Sequence, residues 1–153
     1  MSQNKQLKIG LLGAGTVGGG VFNTLTKDKE SLSRKAASGY EVSIICVKNL
    51  SKNRNIDFGK ARLTDDPLEI VDNNDIDIVI ELIGGIEPAK TLILKALKNK
   101  KHVVTANKAL IASCGIELFE EAQKNNVFIL YEASVAGAIP IIKLMSESFV
   151  ASN

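Results

Sequence analysis

Gly13, Gly15 and Gly18 stand at the end of a short apolar run, in the order Gly13-Ala14-Gly15-Thr16-Val17-Gly18, where a helix-like pattern begins. The spacing has a mechanical reading. Gly13 permits a tight turn, Gly15 lets backbone come close to a diphosphate, and Gly18 lets the following helix pack against the strand before it. A helix that starts there aims free N–H groups and the positive end of its dipole at a bound anion. Dinucleotide binding is the chemistry this predicts, with a plain structural glycine turn as the competing reading. Gly19 and Gly20 follow directly and are assigned to packing rather than to ligand contact.

The next chemically informative position lies at the end of the second apolar run. Sites that select NAD place an Asp or Glu about 20 residues beyond the glycines, where it accepts hydrogen bonds from the ribose diol. That acid is missing: the run ends Val47-Lys48-Asn49, with Lys52 and Arg54 close behind. Cations there suit a 2′-phosphate, which favours NADP(H) and leaves NAD(H) open. A cationic loop that is simply solvated is the alternative, and Lys48, at the strand end, bears most on the choice.

Two further strand ends carry polar or glycine-rich exits. Glu81-Leu82-Ile83-Gly84-Gly85-Ile86-Glu87-Pro88 puts two glycines between an apolar run and a proline-started helix, which reads as close backbone approach to a ligand or as a left-handed turn. His102-Val103-Val104-Thr105-Ala106-Asn107-Lys108 gathers Thr, Asn and Lys at one end. Lys108 there reads as a contact for cofactor or substrate oxygens, or as a proton carrier, against the alternative of a solvated lysine at a helix start. His102 precedes its strand and is assigned to packing or solvent. No Ser/His/Asp set, cysteine nucleophile pair or transition-metal cluster can be assembled, so hydrolytic chemistry is unsupported.

The elements that must position these residues follow from hydrophobic periodicity. Residues 7–13, 42–47, 76–80, 102–105 and 127–131 form nearly continuous apolar runs, as strands buried on both faces require, with a weaker strand at 61–64. Between them, 17–35, 67–73, 88–99 and 110–124 carry apolar residues at three- and four-residue spacing and read as crossover helices, two of them near Pro67 and Pro88. The polar stretch 49–59 reads as a mobile surface loop. Strand, helix, strand in repetition implies right-handed crossovers and a doubly wound, mainly parallel α/β sheet of the Rossmann type, whose ligands bind beyond the carboxyl ends of the strands.

Composition narrows the partners. The 153 residues are 45% hydrophobic and 24% charged, enough for one domain with a sizeable core. The net charge of +2 comes from 19 basic and 17 acidic residues spread along the chain, which offers no electrostatic case for nucleic acid or an anionic membrane and points to a small-molecule substrate. No apolar stretch approaches the roughly 18 residues of a membrane span, and the start of the chain does not read as an export signal. Cys46 and Cys114 show neither a CxxC nor a metal-ligand spacing, in keeping with reduced thiols in a cytoplasmic protein.

Taken together, GLLGAGTVGGGV, ELIGGIEPA, HVVTANKALIA and YEASVAGAIPII, in this order and spacing, resemble the N-terminal half of homoserine dehydrogenase, from Lys8 to Ile142. The first block is shared with many dehydrogenases; the last two carry the resemblance. It implies NAD(P)-linked reversible reduction of L-aspartate 4-semialdehyde to L-homoserine, a step in threonine, methionine and isoleucine synthesis. It also implies that Gly13, Gly15, Thr16, Val17 and Gly18 cradle the pyrophosphate and that Lys48 meets the 2′-phosphate. Gly84 and Thr105 would lie near the nicotinamide ribose, and Lys108 would contact cofactor and substrate. The family further holds a monovalent cation, usually sodium, through oxygens of residues matching Glu132, Val135, Gly137 and Ile139. In that family the main catalytic Asp and Lys lie in a second domain, which also makes the homodimer. The expected organisation is therefore a dinucleotide-binding domain over 1–145 and the start of a link to a substrate domain over 146–153, with negligible turnover by this chain alone. Another oxidoreductase's cofactor domain and a non-catalytic dinucleotide sensor remain as alternatives; a methyltransferase would want an acid where Val47-Lys48 stands.

Overall fold

The computed structural model describes residues 6–35 and 39–131. Among these, six strands form one all-parallel sheet in the order β3-β2-β1-β4-β5-β6: β1 Leu7–Leu12, β2 Tyr40–Cys46, β3 Arg62–Thr64, β4 Ile78–Glu81, β5 His102–Thr105 and β6 Ile129–Tyr131. The order reverses between β1 and β4, which makes the crevice beyond their carboxyl ends the topological switch point. The weak strand expected at 61–64 is present as β3.

Helices cover both faces, and the strands show why their sequences are apolar without alternation. On one face Ile9, Leu11, Ile45, Ile78 and Ile80 pack with Phe22, Leu25 and Leu32 of α1 (Thr16–Lys27) and α2 (Lys29–Lys35). On the other, Leu12, Ile44, Val79 and Val103 pack with residues of α3 (Leu68–Val71), α4 (Ala89–Lys98) and α5 (Lys108–Lys124). A strand that meets helices on both sides must be hydrophobic at successive positions.

Three expectations are corrected. The single helix expected over 17–35 is two: Asp28, at φ −97° and ψ 16°, ends α1. The stretch 49–59 is no free loop, because its second half is pinned to α1. Phe58 is buried in edge-to-face contact with Phe22, at 5.1 Å between centroids, and Ile56 packs on the same cluster. Its first half is tied by Arg54, whose guanidinium donates to the carbonyl oxygens of Asn49 at 2.7 Å and Lys52 at 3.0 Å. Gly19 does serve packing, since a Cβ there would meet Ile56 Cδ1 at 2.2 Å, but nothing lies within 4 Å of the corresponding point at Gly20.

Candidate functional site

Parallel register sets the site's floor. Thr64, Cys46, Leu12, Glu81, Thr105 and Tyr131 are successive register partners across the whole sheet, so one row of residues marks the carboxyl ends of all six described strands. This row, the loops that leave it and the first turns of the helices that follow carry every residue for which sequence predicts ligand contact within the described part of the chain.

Beyond Leu12 the chain turns at Gly13, whose φ of 105° is strained for any residue with a side chain. A Cβ at Gly13 would also stand 2.9 Å from the Leu82 carbonyl oxygen, and one at Gly18 would stand 2.2 Å from the Gly13 carbonyl oxygen. These two glycines are therefore demanded by the protein's own packing. Gly15 is different: its φ of −74° is ordinary and nothing lies within 4 Å of where its Cβ would be. Open space at the mouth of a helix is what a ligand pressed against backbone needs. Gly15 is also the N-cap of α1, and no side chain caps that end, so its first-turn N–H groups, including those of Thr16 and Val17, face the crevice without side-chain competition. These features fit a diphosphate.

Lys48 follows the β2 end and is exposed. Of the other two cations, Lys52 is exposed, whereas Arg54 spends its guanidinium on loop carbonyls. The structure thus separates the three: Lys48 stands at the strand end, and Arg54 organises the loop behind it. Cys46, just before, is buried, and burial together with Asp66, Asp65 and Glu69 raises its thiol pKa to about 11. It is a packing residue, not a nucleophile.

On the other side of the switch point, Gly84 and Gly85 both adopt positive φ, 78° and 75°, so the left-handed turn is real; nothing lies within 4 Å of a Cβ at Gly84. Thr105 ends β5 and is only 1% exposed. Its hydroxyl proton is committed to Glu81 Oε2 at 2.5 Å, and its oxygen accepts from the Asn107 N–H at 3.0 Å. Asn107 caps α5 by accepting from the Leu110 N–H at 3.1 Å and donates through Nδ2 to the Gly85 carbonyl. Lys108 is the first residue of α5 and is exposed, so it sits on the rim. Glu132, Val135, Gly137 and Ile139 lie outside the described residues; among the described residues no cluster of His, Cys, Asp or Glu could hold a metal ion.

Sequence reasoning gave Glu81 no role and left Asn107 an unassigned member of the Thr-Asn-Lys cluster. Glu81 is completely buried and its Oε1 accepts from the N–H groups of Ile83 at 2.7 Å and Gly84 at 3.1 Å. The available signal was a carboxylate closing an otherwise apolar strand, Ile78-Val79-Ile80-Glu81. His102 is the first residue of β5 rather than ahead of it, and it serves structure as expected: its Nδ1 accepts from the Phe128 N–H at 3.1 Å and its ring stacks on Phe128. A cavity of about 310 Å³ beside it, lined by Asn74, Asp77, Lys100 and Lys101 among others, opens at the amino ends of β4 and β5. That is the wrong edge of the sheet for the loops above, and its Lys101 ammonium is already bound to the carbonyl oxygens of Asn73 and Ile76.

Residues 13–132 match the family model described as "Homoserine dehydrogenase, NAD binding domain". The homoserine dehydrogenase of Pseudomonas aeruginosa is 46% identical over 149 residues, covering 97% of this chain and 34% of the relative. That of Bacillus subtilis is 43% identical over 143 residues, covering 94% and 33%. Among solved structures, homoserine dehydrogenase from Thiobacillus denitrificans superposes with a TM-score of 0.82 at 47% identity over 96% of this chain and 34% of that one. The chain thus spans about a third of the length of the relatives it matches. A matching family model over most of the chain, on a six-stranded sheet with its glycine turn at the switch point, places this protein in the family of homoserine dehydrogenase NAD-binding domains.

Proposed function

We propose that this chain binds a nicotinamide dinucleotide, with NADPH preferred to NADH, as the cofactor-binding part of an enzyme that reversibly reduces L-aspartate 4-semialdehyde to L-homoserine in the cytoplasm. The observation that carries the cofactor reading is Gly15: an uncapped helix N-terminus whose N-cap glycine is required by no neighbour in the protein. Thr16, Val17 and Gly18 would donate backbone N–H groups to the diphosphate. The adenosine half then lies over β1, β2 and β3, with exposed Lys48 set to pair with a 2′-phosphate.

The nicotinamide half lies over β4 and β5, against the Gly84–Gly85 turn. Ile83 and Ile86 flank that turn and are 40% and 42% exposed, apolar surface that a ring would cover. A reduced nicotinamide, when bound, supplies the hydride. Lys108, on the rim beside that turn's partner Asn107, is set to meet cofactor or substrate oxygens. The monovalent cation and the homodimer of the whole enzyme belong to this proposal through the resemblance alone.

Calorimetric titration with NADPH and NADH at one fixed, modest salt concentration tests the reading. Saturable binding with NADPH clearly tighter is the expected result. Equal affinities would remove Lys48 from the phosphate site, and no binding of either would overturn the cofactor assignment.

A further inference from the structure

Glu81 is the one carboxylate among the described residues that is completely buried, and all three of its short contacts use it as an acceptor. Oε1 takes the N–H groups of Ile83 and Gly84, and Oε2 takes the Thr105 hydroxyl. Taking a carboxylate out of water costs several kcal/mol unless hydrogen bonds replace the lost hydration. The register partner of Glu81 on β1 is Leu12, buried and apolar, so the sheet itself does not call for a charge in this row.

What does call for one is the turn. Gly84 and Gly85 bring no side chains, and two successive positive-φ glycines are conformationally loose unless something outside them fixes their course. Glu81 holds the amide side of that turn, and Asn107 holds its Gly85 carbonyl. Thr105 joins the two, because its proton is committed to Glu81 and it accepts from the Asn107 N–H. The loop after β4 and the loop after β5 are thereby locked as one unit on the nicotinamide side of the switch point.

We infer that Glu81 is a positioning residue for the nicotinamide half of the cofactor: it fixes the Ile83–Gly84–Gly85 backbone against Thr105 and touches no ligand itself. The inference rests on the dinucleotide reading above and adds a residue that the glycine motif does not predict. It also implies that Thr105 offers a ligand no hydroxyl proton, so the surface presented there is the backbone of the glycine turn.

The test compares two ligands on the 153-residue chain. NADPH spans both halves of the site, whereas 2′,5′-ADP occupies only the adenosine half. Glu81→Gln keeps the shape and one acceptor for the turn but sets an NH₂ group against the Thr105 hydroxyl, forcing its proton outward. The expected result is about a tenfold loss of NADPH affinity, the equivalent of roughly one buried hydrogen bond, with less than about a twofold change for 2′,5′-ADP. Thr105→Val, which removes the ties to Glu81 and to the Asn107 N–H without altering the carboxylate, should show the same asymmetry at about threefold.

Equal losses for both ligands, or no loss for either, would make Glu81 a purely structural group and overturn the inference. So would failure of both variants to fold under conditions where the parent chain is folded. A parent chain that binds 2′,5′-ADP and NADPH with symmetrical variant effects leaves the cofactor reading intact and sinks only this one. A parent chain that binds neither ligand sinks both.

Discussion

Thr105 donates its hydroxyl to Glu81 across 2.5 Å, and the two are register partners at the ends of adjacent parallel strands. Because β4 and β5 end level with one another, their exit loops leave side by side, and Asn107 completes the closure by reaching back to Gly85. Asn107→Ala removes the α5 cap and that tie together, and should lower unfolding free energy by about 1–3 kcal/mol. Urea denaturation reads it. Asn107→Ser should restore the cap's share and leave the rest lost.

Gly15 and Gly18 make different stability predictions although they belong to one motif. Gly15→Ala meets nothing in the protein and should change stability by less than about 1 kcal/mol, yet weaken NADPH binding at least about tenfold. Gly18→Ala drives a methyl into the Gly13 carbonyl and should cost stability by about 1–3 kcal/mol or more as well as binding. Thermal melts with and without NADPH separate the two; a Gly15→Ala chain that binds normally would make the motif a structural turn.

Lys48→Ala should reduce NADPH affinity by about tenfold while leaving NADH affinity within about twofold, and the NADPH loss should shrink as salt is raised. Arg54→Ala removes a loop brace bonded to Asn49 and Lys52 and should have the smaller effect on the NADPH-to-NADH ratio. A larger effect for Arg54 would reverse the assignment.

Alkaline stability follows from two buried groups. Burial raises the Cys46 thiol to about 11, aided by Asp66, Asp65 and Glu69, and burial with Asp28 nearby raises the Tyr40 phenol to about 12. Above pH 9 the unfolded chain releases the thiol proton while the folded chain keeps it, so stability falls as pH rises from about 9 to 11. Tyr40 adds to the fall from about pH 10 upward. The Cys46 share is at most about 3 kcal/mol and should vanish in Cys46→Ala, measured as the slope of unfolding free energy against pH. At pH 8, iodoacetamide should label half-exposed Cys114 first and Cys46 only on unfolding.

Features that depend on near neighbours along the chain are readable from its residues. The unbroken apolar runs announced a two-sided parallel sheet, the spacing of Gly13, Gly15 and Gly18 announced the turn, and the missing acid at Val47-Lys48 was legible without coordinates. Even the short β3 was visible. The break at Asp28 was not, because no Gly or Pro marks it and Leu25 and Leu32 stay in phase about two turns apart; only the backbone at Asp28 shows it.

Tertiary structure alone decided which glycines the protein needs for itself, since Gly13 and Gly18 meet atoms of Leu82 and Gly13 while Gly15 meets none. It also decided the roles of Ile56, Phe58 and Arg54, which turn a polar stretch into a packed one. Above all it decided Glu81. A carboxylate after three apolar residues carries no meaning until the register of β4 on β5 places Thr105 beside it, 24 residues further along the chain. Long-range pairing is set by the whole sheet's packing, and no local pattern encodes it.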